Sequence, residues 1–184
     1  MRSTDGSGFA ELLLRVTIGG TMLAHGIKHG RTIEGTSRWF ESIGFRHPKR
    51  QARASAGVEI LSGLGLISGL GTPASAAAVV ATMGVATRAV HAPNGFFITA
   101  EGFEYAMTLA LGSVAIVALE PGHRSVDRYT FFRRRRGSRY ALATVAVGAT
   151  SALLHTALFW NRPGATNDSQ SGSIGASVPA QAAS

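Results

Sequence analysis

The chain has 184 residues, no cysteine and a formal net charge of +8. The length suits one domain, and the missing cysteines exclude disulfide frameworks, thiolate zinc sites and thiol–disulfide relays within the chain. Apolar types make up an ordinary 45%, but charge is nearly absent from residues 55–70, 72–87, 104–119 and 140–161 and concentrated between them. Each block approaches the ~20 apolar residues that a hydrocarbon layer about 30 Å thick requires. The expected fold class is therefore all-α, a polytopic transmembrane helix bundle.

After a short N-terminal segment, residues 1–8, the first span runs from Phe9 to Ile27. Glu11 and Arg15 interrupt it and no small-x-small cleavage site follows cleanly, which argues against a signal peptide. The polar stretch to Arg53 contains Trp39, Phe40, Ile43 and Phe45 among charges. That pattern fits either a short helix lying in the membrane interface or a loop carrying an aromatic plug. The second span is Ala52 to Leu70, where Gly65 and Gly69 form a G-x-x-x-G pair with Ser62 and Gly63 nearby. Small residues allow close helix packing in lipid.

The third span opens at "GTPAS", with Thr72 as a cap and Pro73 at the first helical position, and continues to His91. The tight turn before it makes spans two and three an antiparallel hairpin. "HAPNGFFITAEGF" breaks the pattern, and the fourth span follows from Phe103 to Leu119. A basic connection, residues 121–139, leads to a fifth span at residues 140–160, which ends in the belt-forming pair Phe159–Trp160. The tail, residues 161–184, is polar and almost uncharged, a composition expected to be disordered.

Positive charge marks cytoplasmic loops. Two connections are basic and fall on opposite faces. The cluster Arg133–Arg136 is weighted most, as a grip on anionic lipid that places the N-terminus in the cytoplasm of a plasma-membrane protein and the tail outside. Nucleic acid is excluded as a partner because this cluster abuts a bilayer.

Reversing direction at each span brings the intramembrane polar residues to a single face. His25, Lys28 and His29 end span one, and Glu59 enters span two from the same side. Arg88 and His91 end span three, Glu101, Glu104 and Tyr105 open span four, and His155 is near the end of span five. A charge at mid-helix costs roughly 2.5–3.5 kcal/mol on insertion scales, less near the ends. Glu59 and Arg88, on adjacent antiparallel helices, are therefore expected to pair, leaving the histidines for proton or ligand chemistry. His25, Glu59, His91 and Glu104 are the catalytic candidates, and Lys28, His29, Arg88 and Tyr105 the ligand-pocket or ion-pair candidates. Arg15 reads as an anchor at the opposite end, and Lys28 also as a snorkelling interfacial residue. His25 and His29 share a helical face and with His91 could ligate a metal. The zincin Glu is missing, and no metal site is assigned.

These motifs resemble a known family. "LLLRVTIGG" followed by "LAHGIKHG" is similar to the opening of the DoxX family of small bacterial membrane proteins, with its Leu-Leu-Arg, Gly and His-Gly-x-x-Lys. "AGVEILSGLGLISGLGT" is similar to its second helix at Glu59, Gly63 and Gly69. "RAVHAPNGFF" and "EGFEYAMTLAL" are similar to its third-helix His and the Gly-x-Glu-Tyr start of its fourth. The resemblance covers residues 9–120 and implies a four-helix membrane core, to which the fifth helix is added. It also implies association with redox systems, since relatives include a subunit of a thiosulfate:quinone oxidoreductase. His29 departs from the family's hydrophobic residue after the lysine. The resulting expectation is a membrane subunit of a quinone-linked or oxidative-stress system, with quinone the candidate cofactor. Its expected partners are membrane lipid, soluble redox proteins and further copies of itself. The alternative is a non-catalytic scaffold or small-molecule conduit that anchors soluble partners.

Overall fold

The structure, a computed structural model, describes residues 5–163. Its helices are α1 (Asp5–Arg31), α2 (Ile33–Ser42), α3 (Pro48–Ser68), α4 (Thr72–Ala86), α5 (Glu104–Ala118) and α6 (Ser138–Phe159). No strand forms among the described residues, where the only extended pairing is an isolated bridge between Phe45 and Trp160. α4 with its continuation, Thr72–Asn94, and α6 are long and apolar enough to cross a membrane, and α5 is a shorter apolar helix. Leu61 of α3, Leu111 of α5 and Leu142, Leu153 and Leu158 of α6 are each more than half exposed. Outward leucines on neighbouring helices make an apolar surface of the kind that suits hydrocarbon.

α1 and α3 run antiparallel and pack along their length, while α4 packs on α5 and α6. Glycine sets the closeness of the first pair. A Cβ on Gly19 would stand 2.7 Å from the Gly63 carbonyl, and one on Gly63 would stand 2.7 Å from the Gly19 carbonyl. The expected small-residue packing runs through Gly63 against α1, while Gly65 takes the close approach of Ser75 on α4. Gly69 instead ends α3 in the left-handed region at φ 67°, a C-terminal role that suits glycine.

The local differences from expectation have identifiable causes. Residues 5–8 already belong to α1. α2 is a helix, yet its Phe40 is buried against Phe45 in a small second core that also takes in Trp160, so the aromatic plug and the short helix coexist. The α4 amide ends are capped from a distance: Gly71 N and Thr72 N donate to the Asp127 carboxylate at 2.7 and 2.9 Å, and Gly71, not Thr72, is the N-cap residue. After Ala86 the helix widens into a π-turn, Thr87–His91, before a short 3₁₀ turn. The main core lies between α1, α3, α4 and α5 around Ile18, Met22, Leu66, Val79, Leu109 and Ile116. Of the tail, residues 164–184 lie outside the described residues.

Candidate functional site

Two polar clusters stand at opposite ends of the bundle. The first lies where α1 begins and α3 ends. Glu11 and Arg15, one helical turn apart, are both 1% exposed and pair at 3.3 Å. Arg15 also donates from Nε to the Leu66 carbonyl at 2.8 Å and from Nη2 to Ile67 at 2.5 Å, filling acceptors that the end of α3 leaves open. From the α5–α6 connection, Asp127 is fully buried and Arg136 nearly so. Arg136 donates to the Ile116 carbonyl at 2.7 Å, to Thr72 Oγ1 at 2.9 Å and to Asp127 at 3.3 Å, and lies 3.6 Å from Glu11. Burial lowers the pKa of Arg136, and the carboxylates of Asp127 and Glu11 raise it again. Two arginines and two carboxylates thus lock three connections together. Arg15 is a member of this lock and not just an interfacial anchor, and Arg136 turns inward instead of joining its exposed neighbours Arg133–Arg135.

The second cluster surrounds a cavity of about 480 Å³ at the other end. Its wall is mostly apolar, with Met22, Phe40, Phe45, Met83 and Leu109 among the lining residues. Five long helices and α2 contribute to it, because α1 and α5 end or begin here while α2 folds across the mouth. Its polar groups include His25, His29, Gln51, Ser55, Glu59, Thr82, His91, Tyr105, Ser151 and His155. Glu59 is only 4% exposed. Its Oε1 accepts from Ser55 Oγ at 2.8 Å, and its Oε2 lies 2.9 Å from His29 Nδ1. Neither of the two facing atoms has a hydrogen bond of good geometry, so both are buried and under-satisfied beside open volume. The His25 ring stands edge-on to His29 at 6.1 Å and tilted to Tyr105 at 6.5 Å.

The fold separates the sequence candidates. His25, His29, Glu59, His91, Tyr105 and His155 line one cavity. The expected Glu59–Arg88 pair does not form: Arg88 is exposed and outside the cavity, and the group facing Glu59 is the His29 imidazole. Lys28 is likewise exposed and away from the cavity. Glu104 does not line it either, since its carboxylate accepts from the Ile98 amide at 3.0 Å and braces the loop before α5. His91 reaches the cavity while its Nδ1 meets the Glu101 carbonyl at 2.7 Å, which fixes the ring. Among the described residues no group of three or more His, Asp or Glu side chains is placed to hold a metal ion. Sequence reasoning missed Gln51, Ser55 and Ser151 in the cavity, and Glu11, Asp127 and Arg136 in the lock. Only the i, i+4 spacing of Glu11 and Arg15 could have signalled any of them.

The apolar wall suits a hydrophobic ligand, and the carboxylate–imidazole pair suits one that exchanges a proton or donates a hydrogen bond. The family model DoxX matches residues 10–92. That span contains His25, His29, Glu59 and His91 and ends before α5. No curated protein and no solved structure matches the chain.

Proposed function

We propose, on the premise that residues 10–92 make this chain a member of the DoxX family of membrane proteins, that it is the multi-pass membrane subunit of a redox-linked system. It crosses the plasma membrane through α1, α3, α4, α5 and α6, with its N-terminus in the cytoplasm, and its cavity receives the ring of a quinone. The observation that carries this reading is the buried Glu59–His29 pair, unsatisfied at the edge of an apolar cavity large enough for such a ring. An intramembrane acid is a functional group by default.

Reduction of a quinone ring to its quinol takes two electrons and two protons. The chain has no cysteine, so a soluble redox partner at the membrane supplies the electrons. The chain's own residues manage protons and position. Glu59 holds the His29 imidazole at the floor, and His25 and His91 meet the ring's oxygens from the walls. Glu59 and His29 together pass a proton between the cavity and water, because His29 is 24% exposed while Glu59 is buried.

Extraction of the full chain in mild detergent, followed by mass spectrometry of bound quinones and partner proteins, tests this. Wild type is expected to carry quinone and Glu59→Gln to lose it while retaining the wild-type circular dichroism. Absence of quinone from both, with soluble proteins retained by both, would replace the redox reading with the scaffold.

A further inference from the structure

The α5–α6 connection presents a basic and aromatic surface away from the cavity. Residues 120–137 are anchored at two points. Asp127 N donates to the Gly69 carbonyl at 2.7 Å, its carboxylate takes the Gly71 and Thr72 amides, and Arg136 closes the far end on Ile116. With Ser125, Asp127 and Arg136 directed inward, several residues between them face out, while Arg128, Thr130 and Phe132 are half-buried. Arg133, Arg134 and Arg135 are exposed. Tyr129 is 77% exposed and Phe131 64%. Arg128, Tyr129, Thr130, Phe131, Arg133 and Arg134 border one open concavity. Among the described residues, Arg133 and Arg134 have no carboxylate partner.

We propose that this concavity binds the headgroup of an anionic phospholipid in the leaflet at this end of the bundle. Guanidinium groups grip phosphate oxygens bidentately, and an anionic leaflet attracts basic residues beside a span. Tyr129 and Phe131 are the amphipathic and apolar rings that settle at headgroup depth. The pairing of outward aromatics with unpaired arginines favours a lipid over a nucleic acid, since the loop lies directly at the ends of the apolar helices α5 and α6. Because the Asp127–Arg136 clamp fixes the loop, the arginines are positioned before the lipid arrives, and binding has the character of a built site.

Native mass spectrometry of the full chain, titrated in detergent with phosphatidylglycerol or phosphatidylcholine, tests the proposal. Wild type is expected to prefer phosphatidylglycerol, and the triple variant Arg128→Gln, Arg133→Gln, Arg134→Gln to bind it about tenfold more weakly. A second triple variant, Arg46→Gln, Arg50→Gln, Arg53→Gln, removes the same charge from the opposite end and is expected to keep wild-type affinity. Equal weakening in both variants would reduce the effect to net charge and overturn the site, as would no preference in wild type. A short RNA that displaces the lipid at equal concentration would also overturn it. Thermal melting confirms that each variant is folded, and a lysine triple at the three loop positions tests the site if the glutamine triple is not.

Discussion

The two ends of this bundle use similar ingredients, buried carboxylates facing basic side chains, in different settings. At the lock, Arg15 and Arg136 spread their donors over the Leu66, Ile67 and Ile116 carbonyls, Thr72 and two carboxylates. At the cavity, Glu59 has one serine and one imperfectly aligned histidine beside unfilled space. A buried pair is secure only when the surrounding lone pairs and protons are also satisfied. The lock leaves two buried atoms short, Glu11 Oε1 and Arg136 Nε, but its other donors are spread over backbone carbonyls, Thr72 and carboxylates, a structural arrangement. The cavity pair is also left short, with few other partners and open volume beside it, and a polar pair so placed is what a ligand can complete.

The largest effect is expected where that contrast is broken at the lock. Arg136→Met leaves Asp127 and Glu11 buried without their shared cation, and removing one partner of a buried pair costs about 3–5 kcal/mol. Thermal unfolding in detergent should show a collapse in Tm or no folded protein at all. Gly63→Ala is next. Its new methyl meets the Gly19 carbonyl and Leu23 N, and overpacking of this kind costs about 1–3 kcal/mol. The α1–α3 crossing should open, lowering Tm and distorting the cavity floor. Glu59→Gln sharpens the comparison from the other side. Its amide can still accept from Ser55, so stability should fall by no more than about 1 kcal/mol, whereas bound quinone disappears. A large loss of Tm with quinone retained would make Glu59 a second lock. Arg88→Gln should be the mildest, within about 0.5 kcal/mol of wild type and with unchanged ligand content, because this side chain is exposed and unpaired.

The long helices were legible in the apolar runs between charged stretches, and the gathering of His25, Glu59, His91 and His155 at one end followed from alternating helix direction. The partner of Glu59 was not, because which residues meet across two helices depends on rotation about each axis as well as on depth. His29 and Arg88 lie at comparable depth. The interhelical fit through Gly19 and Gly63 turns His29 toward Glu59, and the π-turn at Thr87–His91 changes the helical phase where Arg88 sits. The lock was hidden for another reason. Arg136 belongs to a run of four arginines, and only the inward clamp on Asp127 and Ile116 separates it from the exposed Arg133–Arg135.

The end of α6 is stitched to the cap over the cavity. Arg46 N donates to the Phe159 carbonyl, Asn161 N to Gly44, and the Trp160 indole to Ile43. The cavity is consequently assembled from two parts of different origin in the chain. Its floor, from His25 to His91, and the α2 cap lie within the matched family region, while Tyr105, Ser151, His155 and the α6 side of the stitch lie beyond it. Altering α6 and its final residues can therefore reshape one wall and reseat the cap while the floor residues stay unchanged. A shared floor can thereby be retuned to molecules of different shape.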